Sequence, residues 1–133
     1  MKAIKAKGRG IPVGTYVKVA DNSGAQIVYV FAIKGAKPRA RQRAHAMVGD
    51  IVIGSVVKGK PDMRKKVVYG VVVRQKKEFR RPNGMRVKFE DNAIVILREI
   101  ENFMPKGSII KGPIAKEVAD RFSTIAKIAT MIL

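Results

Sequence analysis

Apolar residues fall along this chain in short runs rich in Val and Ile, separated by charge and turn residues, as in β-strands. The runs predict strands over residues 15–20 (TYVKVA), 25–33 (AQIVYVFAI), 50–57 (DIVIGSVV), 66–74 (KVVYGVVVR) and 93–98 (AIVILR). A shorter pair over 76–81 and 85–90 flanks the turn signal Pro82-Asn83-Gly84 and reads as a β-ribbon. Asp21-Asn22-Ser23-Gly24 and KGKPDM at 58–63 supply further turns. Short strands at this spacing suggest a small sandwich or barrel, and closure would remove the exposed edges that so Val-rich a sheet must avoid.

After Pro113 the pattern changes. Ile114, Val118, Phe122 and Ile125 recur at helical spacing and form one stripe. Pro113 is expected in a first helical turn. Ser123 is expected to cap a second short helix that buries Ile125, Ile128 and Ala129. Helices follow the strands instead of alternating with them, which argues against a parallel βαβ sheet. The expectation is one mainly-β domain: a basic extension over 1–13, a β-body over 14–111 with the ribbon inside 74–90, and C-terminal helices over 112–133.

Charge then narrows the function. The 133 residues include 28 Lys or Arg against 10 Asp or Glu, a formal net charge of +18. This exceeds what solubility requires and implies a polyanionic partner, nucleic acid before an anionic membrane surface. No apolar run approaches the roughly 18 residues of a membrane span, and the basic N-terminus lacks the apolar core of a secretory signal. There is no cysteine, which excludes disulfides and thiolate metal sites and fits a reducing compartment. A soluble cytoplasmic protein is expected.

The ribbon concentrates the charge. RQKKEFRRPNGMRVKF, residues 74–89, holds seven basic side chains (Arg74, Lys76, Lys77, Arg80, Arg81, Arg86, Lys88) and one acid, Glu78. With Pro82 second and Gly84 fourth in a type I turn, Arg81 lies across from Met85, Arg80 from Arg86, Phe79 from Val87, Glu78 from Lys88 and Lys77 from Phe89. Alternation then separates a face of Phe79, Met85, Val87 and Phe89, with Lys77 and Arg81, from a face of Lys76, Glu78, Arg80, Arg86 and Lys88. Glu78 with Lys88 is an expected ion pair. Arg80 facing Arg86 is unfavourable alone, and a phosphate between the guanidiniums would relieve it. The alternative is a solvated face on which the two arginines splay apart.

A second basic stretch, AKPRARQRAHAM at 36–47, places Lys37, Arg39, Arg41, Arg43 and His45 at every second position. If extended, it presents a row of donors roughly 6.5–7 Å apart, a spacing comparable to that of phosphates along a nucleic-acid strand; the alternative is a mobile loop with solvated charges. Lys60, Arg64, Lys65 and Lys66 add charge in the 58–66 loop, beside Lys58; with Lys37, Arg39, Arg41 and Arg43 and the seven basic residues of the ribbon, Arg74 and Arg81 included, they are the candidate RNA-binding residues. With only three Tyr and five Phe, most in strands, a single-strand reader built on stacking is disfavoured, and recognition of folded RNA by shape and backbone is favoured.

Enzyme chemistry is not expected. The single His45 has no His or Cys partner for a metal, and no phosphate-binding loop is present. Glu90 and Asp91 are adjacent, so on a strand they face opposite ways. No catalytic residue, metal site or cofactor is assigned.

Gly70-Val71-Val72-Val73, nine residues, Asn83-Gly84, four residues, Phe89, two residues, Asn92, two residues, Val95-Ile96 resembles the signature of the universal large-subunit ribosomal protein L-fourteen family. VADNSGA at 19–25, VGDIV at 48–52 and GPIAKE at 112–117 are also similar to that family, and the resemblance covers nearly the whole chain from about residue 14. The 36–47 insertion, the N-terminal extension and RFSTIAKIAT resemble the archaeal and eukaryotic branch. The resemblance implies a closed five-stranded β-barrel with a projecting ribbon and short C-terminal helices. It implies a structural protein that binds large-subunit rRNA at the subunit interface and contributes to bridges with small-subunit rRNA. It implies neighbouring ribosomal proteins of the L-three and L-twenty-four-e types, and docking of an anti-association factor of the initiation-factor-six type on the region after about Gly112. The rival from another class is a general nucleic-acid architectural or RNA-chaperone protein.

Overall fold

A computed structural model of the chain describes residues 10–35 and 40–133. In chain order its elements are β1 (Ile11–Pro12), β2 (Tyr16–Val19), β3 (Ala25–Ile33), β4 (His45–Ala46), β5 (Ile51–Gly59), β6 (Val67–Arg74), β7 (Phe79–Arg80), β8 (Arg86–Val87), β9 (Ala93–Glu99), β10 (Met104–Pro105), β11 (Ile110–Ile114), α1 (Lys116–Arg121), α2 (Ser123–Ile128) and β12 (Ala129–Ile132). The five predicted strands are all present, as β2, β3, β5, β6 and β9.

These five close a barrel. Each pairs with the next in the order β2, β3, β5, β6, β9, and β9 returns to β2. Five is odd, so a closed ring cannot be antiparallel throughout; the β2–β9 seam is the parallel one, and β10 adds on beside β9. Inward residues such as Val17, Val28, Val30, Val52, Val56 and Val71 are buried. The alternation in β3 slips where its register with β5 is irregular, between Ala25 and Val28 and again between Val30 and Ala32, since an extra residue in the ladder resets which side faces in.

β6 and β9 read instead as near-continuous apolar runs, and both are buried along most of their length. The barrel interior takes one side, and the C-terminal segment covers the other. Ala115 N–H donates to Val73 O (3.0 Å), and Ile110, Ile114, Val118, Phe122 and Ile125 join the same core. The helical stripe therefore identified the buried residues correctly.

Boundaries differ from the sequence expectation in three places. Pro113 lies in β11, not in a first helical turn, and α1 begins at Lys116; β11 is held extended by parallel pairing with β12, which local periodicity does not reveal. Ser123 is the first residue of α2 and makes no capping bond, because Phe122 occupies the cap position. The basic extension expected over 1–13 gives way at Ile11, which is buried and pairs through β1 with β4, 35 residues later; residues 1–9 lie outside the described residues. No helix among the described residues is long and apolar enough to cross a membrane.

Candidate nucleic-acid interface

The ribbon has the register its turn chemistry dictates. Phe79 pairs with Val87 and Arg80 with Arg86. Gly84 N–H donates to Arg81 O (2.9 Å) and Arg81 N–H to Met85 O (2.8 Å), closing the loop. Gly84 adopts φ +87°, a left-handed conformation that a side chain would strain. Lys76, Glu78, Arg80, Arg86 and Lys88 are all exposed, while Phe79 is buried and Val87 and Phe89 are half-buried.

Two details correct the expectation. The ladder is shorter than predicted, with strand geometry only at 79–80 and 86–87. At its base the chain curls around Gln75, which is fully buried: its Oε1 accepts from Val48 N–H (2.9 Å) and its Nε2 donates to Lys77 O (2.6 Å). Phe89 N–H accordingly donates to Gln75 O instead of pairing at Lys77. Glu78 does not pair with Lys88; it receives Arg86 Nη1 at 3.1 Å, diagonally across the ribbon. This exposed pair contributes at most about 1 kcal/mol, but it partly relieves the Arg80–Arg86 confrontation. Arg80 itself has no ion pair among the described residues.

Arg74 and Arg81 face inward. Arg74 is 9% exposed; it grips Asp91 with two nitrogens (2.9 and 3.3 Å) and donates from Nη1 to Lys111 O and Pro113 O (2.9 and 3.0 Å). It thereby ties the end of β6 to β11. Gly112 is part of the same joint: its φ is +80°, and a Cβ there would lie 2.6 Å from Arg74 Nη1. Arg81 lies over the Phe79 ring at 5.7 Å, grips Glu117 of α1 (2.8 and 3.4 Å) and donates to Leu133 O (2.5 Å). Both guanidiniums are thus occupied within the chain, and Arg81 ties the ribbon to the C-terminal segment.

The 36–47 row is not extended throughout. Lys37 and Arg39 lie outside the described residues. Arg41 turns with φ +66°, and His45 enters β4 half-buried, with its Nδ1 enclosed, so it is not a member of an outward row. Arg41 and Arg43 are exposed. The 58–66 loop folds over the buried Met63, with Met63 and Arg64 N–H both donating to Lys60 O, and leaves Lys60, Arg64, Lys65 and Lys66 outside. Lys76 and Lys77 are likewise exposed.

The remaining motif residues build the frame. Asp21 is buried: one carboxylate oxygen accepts from Ser23 and the other from Ile96 N–H (3.0 Å), joining the DNSG turn to β9. Asn22 accepts from Ser108 N–H (2.8 Å) and donates to Ser108 Oγ (2.9 Å). Asp50 accepts from Met47 N–H (2.8 Å). Sequence reasoning passed over Lys18 and Lys111, which stand exposed beside concave surfaces. Alternation in TYVKVA places Lys18 outward and could have marked it.

A family model described as ribosomal protein L14p/L23e matches residues 10–133. The chain is 54% identical to the large ribosomal subunit protein uL14 of Nanoarchaeum equitans. It is 51% identical to that of Methanocella arvoryzae and 50% to that of Methanothrix thermoacetophila. Each match covers all of both chains.

Proposed function

The chain belongs to the ribosomal protein L14p/L23e family, and on that premise we propose that it binds large-subunit rRNA through the outer face of its ribbon and the neighbouring basic loops. As a member of that family it is a structural constituent of the large ribosomal subunit in the cytoplasm and not an enzyme. The observation that carries the rRNA reading is the ribbon's outer face: Arg80 and Arg86 directly opposed, flanked by exposed Lys76 and Lys88, with Glu78 the one acid. Arginines paired across a ribbon can present their guanidiniums to the oxygens of one bridging phosphate. Arg41, Arg43, Lys60, Arg64, Lys65 and Lys66 extend the basic surface, and we place Lys37 and Arg39 with them from sequence alone. Arg74, Arg81 and the backbone around Lys77 position the ribbon.

Binding to small-subunit rRNA across the interface and contacts with L-three-type and L-twenty-four-e-type neighbours belong to the same reading. Docking of an anti-association factor is placed on the segment after Gly112. Support for that comes from Met131, Ile132 and Leu133, which are each about half exposed (53%, 46% and 53%) at the end of the chain and give it an apolar surface suited to a protein partner. The tagged protein should co-sediment stoichiometrically with large subunits after a high-salt wash. Recovery only in the free pool would sink the proposal.

A further inference from the structure

We infer that one strand of RNA backbone lies in a groove running from the base of the ribbon, past Lys18 on β2, to the 58–66 loop. This rests on the rRNA-binding reading and names a path for it. Two concave spaces of about 560 and 490 Å³ meet at Lys18. Lys88, Phe89 and Gly112 line the first, and Gly24, Lys60 and Lys111 line the second.

Lys18, Lys60, Lys88 and Lys111 are exposed, and none has an ion pair among the described residues. Three acids also line these spaces. Asp91 is gripped by Arg74, and Asp21 is turned inward onto Ser23 and the Ile96 amide. Glu90 alone remains exposed without an ion pair among the described residues. Four free ammonium groups against one carboxylate give the groove a positive field, which draws in a polyanion.

The donors stand on fixed supports. Lys18 is set by strand register, opposite Ile27 on one side and Ala93 on the other. Lys60 runs its stem against Gly24, where a Cβ would come within 3.2 Å of Lys60 Cδ, so its apolar stem is braced while its amine stays in water. Lys111 has its N–H on Ala20 O (2.6 Å) and its carbonyl on Arg74. Amines strung along a groove, instead of converging on one point, suit successive phosphates of a chain better than a single phosphate. Phe89 is the only aromatic in the lining, so the groove positions RNA and does not read its bases.

The test titrates salt against the affinity of the full chain for an in vitro transcript of large-subunit rRNA. Lys18→Gln and Lys111→Gln should each flatten the slope of log affinity against log salt by about 1 and leave the unfolding midpoint unchanged. Lys127→Gln, exposed on α2 away from the groove, should leave the slope as it is. A wild-type chain that binds with a steep slope untouched by Lys18→Gln overturns the groove but keeps rRNA binding; a wild-type chain that does not bind overturns both. The natural chain has no cysteine, so Lys60→Cys and Lys88→Cys can each carry a photo-crosslinker. Both should map to one uninterrupted RNA stretch; crosslinks to two distant segments overturn the single-strand path.

Discussion

On the inner side of the ribbon, Arg81 grips Glu117 and Leu133 and lies over Phe79, while Arg74 at the base is enclosed by Asp91 and two carbonyls. On the outer side Arg80, one residue before Arg81, faces Arg86 and holds no ion pair among the described residues. For Arg80 and Arg81 the residue type is the same and the local sequence nearly so, and the twofold period of the strand gives them opposite faces; Arg74, of the same parity as Arg80, faces inward as the last residue of β6, before the chain curls at Gln75. Inner arginines hold the fold, and outer ones add like-charge repulsion to it. A basic residue on this protein is therefore assigned by its face, not by the charge density of its segment.

Arg74→Ala should break the inner side most. It strands Asp91 and leaves two carbonyls without a donor, and we expect a loss of about 3 kcal/mol, below the full value for a completely buried pair because Asp91 is 27% exposed. Urea unfolding measures it, and a loss under about 1 kcal/mol would place Arg74 with the outer set. Gly112→Ala attacks the same joint from the other partner. A positive φ and the clash with Arg74 Nη1 should together cost about 2 kcal/mol. An unchanged midpoint would mean that the joint rearranges freely. Arg81→Gln should lower stability by about 1 kcal/mol and raise hydrogen exchange in β12, since Leu133 loses its tie. Exchange confined to the ribbon would separate the ribbon from the C-terminal segment. Glu78→Gln removes the only acid from the outer face, and we expect a stability change under about 0.5 kcal/mol with tighter rRNA binding; weaker binding would give Glu78 a positive role.

What could be read from sequence depended on how far apart the partners lie. The ribbon register followed from Pro82, Asn83 and Gly84, because turn and pairing strands adjoin. The five barrel strands followed from runs of Val and Ile dense enough to exceed any competing pattern. β1 with β4 and β11 with β12 escaped notice because each is short and its partner is remote, so no local period marks it. For the same reason the alternating arginines of 36–47 suggested an extended row that the turn at Arg41 and the inward His45 interrupt. Arg74 and Arg81 were grouped with the RNA-facing set because charge counting cannot see Asp91 or Glu117. Lys18 was passed over because it stands alone in an apolar run, where its neighbours in space and not in sequence give it a groove.

The difference between the two faces is tested most directly by the Arg80→Gln/Arg86→Gln double variant, measured for unfolding stability and for the salt dependence of rRNA binding on the same preparation. Removing the opposed pair should leave stability equal or higher, since a repulsion disappears and only the exposed Glu78–Arg86 pair goes with it. It should flatten the salt slope by about 2, one for each phosphate no longer neutralised. A fall in stability with an unchanged salt slope would contradict the account, by making the outer arginines part of the fold and not of the RNA surface.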